Sequence, residues 1–481
     1  MNKNQLTVNL EDNINIINSY FPNNAYLKTR ELTLYGNLEC VIMYIDGLTD
    51  KDSMEKHIIF PLLFKLDTKV YKEDSPAYYI SKRYISINSM ELLSDAYKIS
   101  EKLKRGQSLI LIENDEKGIV CDTNKNNFKK NADPKIEENL KGGKSAFVEN
   151  VKINTSMIQE KIVNDNLIIE QYIFGKQNKT ESVLIYLDNI IDSNVLSKIK
   201  KELNKVDSDY IPDTGYLMKY IGKNKYCIFP QYKTVEKPDK AVSDIIQGKA
   251  VVFVNGCAYG VIIPTTFIEF FQSFEDYSNN IILANFDRCL RFMAVFIILL
   301  TSPLYLTLIS YNIELIPRAL INIIADSRKD IPLPPFLEIF VMELIIEFLR
   351  EGGLRLPSKV GQTMSIIGGI ILGQAAIESR LVSPATLVII SISVICTFLI
   401  PIYEMSLAIR LYKFIMLILA QILGLFGIII GLYFIIAYLI SLENYGVPYF
   451  LPLAPMKHRL LKDSIIRKPL KDINKMPKSI N

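Results

Sequence analysis

Two carboxylates four residues apart, Glu343 and Glu347, stand in the stretch FLEIFVMELIIEFLRE at residues 336–351, where most neighbours are apolar. At 100° per residue they share one helix face with Arg350, while Glu338 falls well away from it. Carboxylates held within a bilayer are costly unless used, and a ring of them contributed by several subunits attracts cations. The same residues also make an ion-paired or solvated helix face, so both readings stand. Gln362, Thr363 and Gln374 are the polar residues of VGQTMSIIGGIILGQAAI, 360–377, and are the other candidates for a pore or gate. The 12 positions between Gln362 and Gln374 turn a helix by about 120°, so the two cannot share one narrow stripe. Gly368, Gly369 and Gly373, which include a GxxxG pair, and Gly427 and Gly431 beside Gly424 are candidates for close helix packing. Asp46 and Asp188 end apolar strands, where a ligand or partner meets an open α/β sheet, and a turn-capping role explains them equally well.

Enzymatic chemistry is disfavoured. Histidine occurs only at His57 and His458, too few for a His-rich metal site or a His-based triad. Cys40, Cys121, Cys227, Cys257, Cys289 and Cys396 are scattered with no CxxC pair, so they suggest no disulfide framework. The apolar runs contain no Asp, Asp287 preceding the first of them, which leaves no intramembrane aspartyl pair. Gly143-Lys144-Ser145 has Glu138 where a phosphate loop needs its first Gly, and no apolar strand precedes it, so it reads as linker. No catalytic residue, metal or cofactor is assigned. The balance of 55 Lys+Arg against 51 Asp+Glu excludes a polybasic nucleic-acid binder as the theme of the chain.

The elements that must position these residues differ between the two halves of the 481-residue chain. Up to about residue 285, strand-length apolar runs such as Cys40–Ile45, Leu109–Ile112, Val183–Leu187 and Val251–Val254 alternate with helical periodicity, as at Val195–Leu203. That alternation predicts an α/β region. It also repeats: IMYIDGLTD from Ile42 and LIYLDNIID from Leu184 pair Tyr44 with Tyr186, Asp46 with Asp188 and Asp50 with Asp192, each 142 positions apart. The same offset pairs Gly106 with Gly248 and Gly118 with Gly260 in a second block with a β-hairpin pattern. Two blocks with one spacing predict two similar tandem lobes, 27–123 and 165–265. The expected domains are an N-terminal α/β lobe at 1–133, a linker and connecting helix at 134–164, a second α/β lobe at 165–285, a helical membrane domain at 286–456 and a basic tail at 457–481.

Within the membrane domain, spans are expected at about 292–311, 360–379, 384–403 and 414–441, with 336–351 as a short acidic, non-crossing helix. The tail carries Lys457, Arg459, Lys462, Arg467, Lys468, Lys471, Lys475 and Lys478 against Asp463 and Asp472, which predicts a cytoplasmic C-terminus. The opening residues lack a basic segment followed by an apolar core, so the N-terminus is expected on the same side and the crossings number four. A secondary transporter would need paired broken helices and an inverted repeat, and the only repeat found lies in the soluble half.

The stretch from Pro238 to Pro455 resembles the A subunit of GerA-type spore germination receptors. The resemblance is carried by LIPRALINIIADSRKDIPLPPFLEIFVMELIIEFLREGGLRLPSKVGQTMSIIGGIILGQAAIESRLVSP from Leu315, PIYEMSLAIRLYKF from Pro401 and YGVPYFLPLAP ending at Pro455. It departs where Lys141, Gly142, Gly143 and Lys144 stand in place of an Arg-Gly-Pro-Arg element and where Gln159 stands near an expected Arg. The resemblance implies a multi-pass subunit of a nutrient-sensing complex in the spore inner membrane, with cytoplasmic ends, a polytopic B subunit and a lipoprotein C subunit as partners. It further implies a homo-oligomer forming a nutrient-gated channel for monovalent cations, with membrane lipid around it and no nucleic acid.

Overall fold

The structure, a computed structural model, describes residues 5–22, 24–35, 37–67, 75–124, 143, 145–222, 226–273, 275–355, 373–457 and 463–469. Gln362, Thr363, Gly368, Gly369 and most of the span expected at 360–379 lie outside the described residues, as do Lys141, Gly142, Lys144 and the start of the linker expected from residue 134. The chain divides into two compact units, one built from residues up to 225 with 232–264, the other from 226–231 with 265–475.

The first unit contains two five-stranded sheets. In chain order its elements are α1 (Leu10–Ser19), β1 (Leu27–Thr33), β2 (Glu39–Ile45), α2 (Pro76–Arg83), β3 (Met90–Leu93), α3 (Ala96–Lys104), β4 (Ser108–Ile112) and β5 (Gly118–Cys121). There follow α4 (Val151–Lys161), β6 (Leu167–Phe174), β7 (Thr180–Leu187), α5 (Ser193–Asn204), α6 (Thr214–Ile221), β8 (Lys233–Val235), α7 (Pro238–Ile246), β9 (Ala250–Val254) and β10 (Gly260–Ile263). The strand orders are β1-β2-β4-β5-β3 and β6-β7-β9-β10-β8, and each strand pairing is antiparallel. Strands and helices alternate as expected of this region, and its sheets are antiparallel rather than of the open parallel type. The central strands read as unbroken apolar runs because they are covered on both faces, a pattern shared with buried parallel strands. In β2, Val41, Met43 and Ile45 enter one core while Cys40 and Ile42 enter another.

The first of these cores also takes in Val183, Ile185, Val251 and Phe253 from the other sheet, so one apolar interior serves both sheets. The sequence pairs fall on like elements. Asp50 and Asp192 accept hydrogen bonds at helix N-termini, Gly106 and Gly248 have φ of +87° and +89° just after α3 and α7, and Gly118 and Gly260 open β5 and β10. At the two glycines of positive φ, other residues would be strained.

The second unit is helical: α8 (Ile281–Ser310), α9 (Arg318–Arg328), α10 (Pro335–Arg355), α11 (Pro384–Thr397), α12 (Tyr403–Leu423) and α13 (Leu425–Ser441). Of these, α8 and α12 are long and apolar enough to cross a membrane, with α11 and α13 shorter and apolar. Three boundaries differ from the sequence reading. The helix expected at 336–351 runs on to Arg355, and the apolar segment beginning at Pro384 ends its helix at Thr397. The long apolar segment 414–441 is two helices parted at Gly424, whose φ of +60° suits glycine, and α12 starts well before it at Tyr403. Phe270 and Phe271 join the core of this helical unit, which is why the unit boundary falls after Pro264 rather than near residue 285.

Candidate functional site

One group of charged side chains of the helical unit meets along the seam where α10 lies against α8, α11 and α12. Glu343 of α10 is almost wholly buried, accepts a hydrogen bond from Ser302 Oγ of α8 at 2.8 Å and is ion-paired with Lys413 of α12. One turn on, Glu347 is ion-paired with Arg410 of α12 and lies 3.4 Å from Arg350. Moving four residues forward on α10 moves three backward on α12, so the two helices run antiparallel with their charges in register. Arg350 Nη2 donates to Thr397 Oγ1 of α11 at 3.0 Å. Glu338, set apart from this face by the sequence reading, is fully buried, ion-paired with Arg328 of α9 and accepting from the Ser383 amide at 2.8 Å.

Three cations, Arg350, Arg410 and Lys413, thus face two carboxylates, a local balance of +1 rather than an acidic surface. Both carboxylates are ion-paired within the chain itself. Glu347 keeps about a quarter of its side chain exposed and Glu343 almost none, so Glu347 is the carboxylate that an ion could reach. The basic partners escaped the sequence reading, although a signal existed. Arg410 and Lys413, three apart in an apolar-periodic helix, demand counter-charges at the same depth, and Glu343 and Glu347 supply them.

The remaining candidates are dispersed. Gln374 is exposed in the helical stretch 373–378. Among the described residues a Cβ on Gly373 would meet Leu387 Cδ2 at 3.7 Å, which is ordinary contact. Gly427 and Gly431 differ: a Cβ there would overlap the Leu419 carbonyl oxygen and Met416 Sδ, so α13 folds back closely on α12. In the first unit Asp46 is held by Lys51 at 2.8 Å and Lys152 at 3.6 Å. Burial alone would raise its carboxyl, but these lysines bring it below the ordinary value. Asp188 is exposed, its amide bonded to the Asn166 carbonyl at 3.0 Å. Because the sheets are antiparallel, neither aspartate marks a crevice of the open parallel type.

Two polar features of the first unit went unpredicted. Asp244 is buried between Lys249, at 2.6 Å, and Lys233, at 3.5 Å. Gln159 lines a cavity of about 20 Å³ shared with Lys104 and Asp165, large enough for one water, and a longer side chain at this position would enter it. No group of His, Cys, Asp and Glu among the described residues could hold a metal ion.

The sequence pattern of Bacillus/Clostridium GerA spore germination proteins matches residues 15–479. The chain belongs to the GerA family. Among the relatives of this GerA-family chain are spore germination protein A1 of Bacillus subtilis (strain 168), 30% identical over 98% of the chain and 96% of that protein, and spore germination protein KA of the same organism, 31% identical over 92% and 81%. A further relative is the uncharacterized membrane protein YfkQ of Bacillus subtilis (strain 168), 29% identical over 92% of the chain and 86% of that protein. The crystal structure of the N-terminal domain of the A subunit of the Bacillus megaterium spore germinant receptor GerK3 aligns with a TM-score of 0.43 and 24% identity, covering 55% of the chain and 97% of that domain.

Proposed function

We propose that this GerA-family chain is the A-type subunit of a nutrient-responsive germination receptor in the spore inner membrane, multi-pass with both ends cytoplasmic. It acts there with a polytopic B subunit and a lipoprotein C subunit, and several copies assemble around a path for monovalent cations that nutrient opens. The observation that carries this reading is the family match across 15–479, both halves included. Two apolar helices of membrane-crossing length support the location. The like strand orders of the two sheets support reading the first unit as two copies of one lobe. The function is not enzymatic, and its signal is a change in ion permeability.

Spores lacking the gene should fail to release monovalent cations on nutrient addition, and restoring the gene should restore release. Unchanged release in the deletion strain, with no second receptor for that nutrient, would overturn the proposal. The internal neutralisation of Glu343 by Lys413 favours a second reading, a non-conducting scaffold or signalling subunit, because an ion path needs charge or polarity left free. Ion flux through liposomes holding only this chain separates the two.

A further inference from the structure

α8 is 30 residues long, about 45 Å, whereas its uncharged stretch begins only at Phe292. A hydrocarbon core takes up about 30 Å, and the full thickness with both headgroup layers is about 40–45 Å. The first three turns therefore either stand in water or lie in the headgroup layer.

Their two faces settle which. Ile282, Phe286, Cys289, Met293 and Phe296 recur at helical spacing and are all exposed, so one apolar stripe runs without interruption from the start of the helix into the span. Both arginines of these turns point the other way. Arg288 is fully buried and pairs with Asp276 at 2.9 Å and Asp463 at 3.1 Å, while Arg291 grips Asp276 at 2.8 Å; Asp287 sits half-buried between the faces. The Asp463 end of this clasp belongs to the segment 463–469, which follows the last helix. Its Arg467 exchanges hydrogen bonds with Asn285, amide to Oδ1 at 2.7 Å and Nδ2 to carbonyl at 3.1 Å. Arg467 and Arg288 both stack on Tyr277, at 5.3 and 5.6 Å. Between the anchored Asp463 and Arg467 project Ile465 and Ile466, 39% and 62% exposed, followed by the exposed Lys468.

We propose that the base of α8 and the clasped segment 463–467 form an interfacial anchor, with Ile282, Phe286 and Ile466 seated at the boundary between headgroups and acyl chains. The occupant is lipid because the stripe is continuous with the face of the span and because the arginines beside it turn inward, Arg288 and Arg291 onto carboxylates and Arg467 onto the Asp276 and Asn279 carbonyls, as a low-dielectric neighbour favours. Lys468 then stands at headgroup level, where a lysine is favoured. The clasp holds the return segment against the first membrane helix, so both enter the interface together. This inference rests on the membrane reading above.

The chain has no tryptophan, so a single introduced indole reports alone. The full chain carrying Phe286→Trp, Ile466→Trp or Ile282→Trp is reconstituted in phosphatidylcholine vesicles brominated near the headgroup end or near the chain terminus, with Phe296→Trp as the span control. The expected result is quenching of Phe286→Trp and Ile466→Trp at least about half as strong as that of Phe296→Trp, and strongest with lipid brominated near the headgroup, since interfacial side chains enter only about 5–10 Å. Quenching confined to Phe296→Trp would overturn the anchor and leave the membrane reading intact. Absence of quenching at Phe296 as well would overturn both.

Discussion

Asp244 shows how little a buried charge site discloses in sequence. Its partners Lys233 and Lys249 are 11 positions before it and five after, on neither a common helix face nor a common strand, and only the fold brings them together. Burial by itself would raise the Asp244 carboxyl, but Lys233 and Lys249 override that and bring it down to about 2, from an ordinary 3.8. A carboxylate depressed on folding stabilises fully above its unfolded value and loses that contribution as pH falls through the folded one. Asp244→Asn should therefore lower the stability of the purified chain at pH 6 by about 2 kcal/mol or more, since two lysines lose their counter-charge. The gap between variant and parent melting temperatures should close as pH drops from about 4 to about 2. A gap that stays constant across that range would show the charge to be irrelevant. By contrast, Asp50 and Asp192 were legible as a pair because they recur at a fixed offset within matching phrases, and both cap helices.

Elements were read correctly where periodicity is local and misread where packing decides. Hairpins at β4–β5 and β9–β10 and the helix α5 follow directly from apolar alternation and spacing. Strand direction did not, because a strand covered on both sides has the same apolar run whether its neighbours are parallel or antiparallel. The segment 414–441 read as one long span because composition carries no record of a reversal at a single glycine. The close return of α13 on α12 gives the glycines unequal roles. Gly427→Ala should force the Leu419 backbone away and, as an overpacking change, destabilise by about 1–3 kcal/mol. Gly373→Ala should cost less, since among the described residues its Cβ meets Leu387 Cδ2 at an ordinary contact distance. Protein levels in the spore membrane check this: equal levels for the two variants would mean that the hairpin relaxes without cost.

At the scale of the molecule, the pairing of α10 with α12 changes what the acidic residues can be asked to do. A free acidic ring would lose cation flux on Glu→Gln substitution with its assembly intact. In this fold Glu343→Gln leaves Lys413 buried without its counter-charge, a change of about 3–5 kcal/mol in such settings, so the expected result is loss of protein from the membrane rather than selective loss of flux. Adding Lys413→Met removes the stranded charge and should restore the protein level. Glu347 is different, because its carboxylate is partly exposed and lies between two arginines. Glu347→Gln also takes the counter-charge from the almost wholly buried Arg410, but water reaches this pair, so the protein level should fall less than in Glu343→Gln. Early release of monovalent cations per copy of the protein after nutrient addition should slow at least about tenfold, which corresponds to about 1.4 kcal/mol on the conducting step. Each variant is expressed in sporulating cells and its membrane level measured beside its release kinetics. Parental release per copy of the protein from Glu347→Gln and from the Glu343→Gln/Lys413→Met pair would sink the acidic pathway and leave the seam a brace between helices. Slowed release in Glu347→Gln alone places the ion's path along the exposed edge of α10.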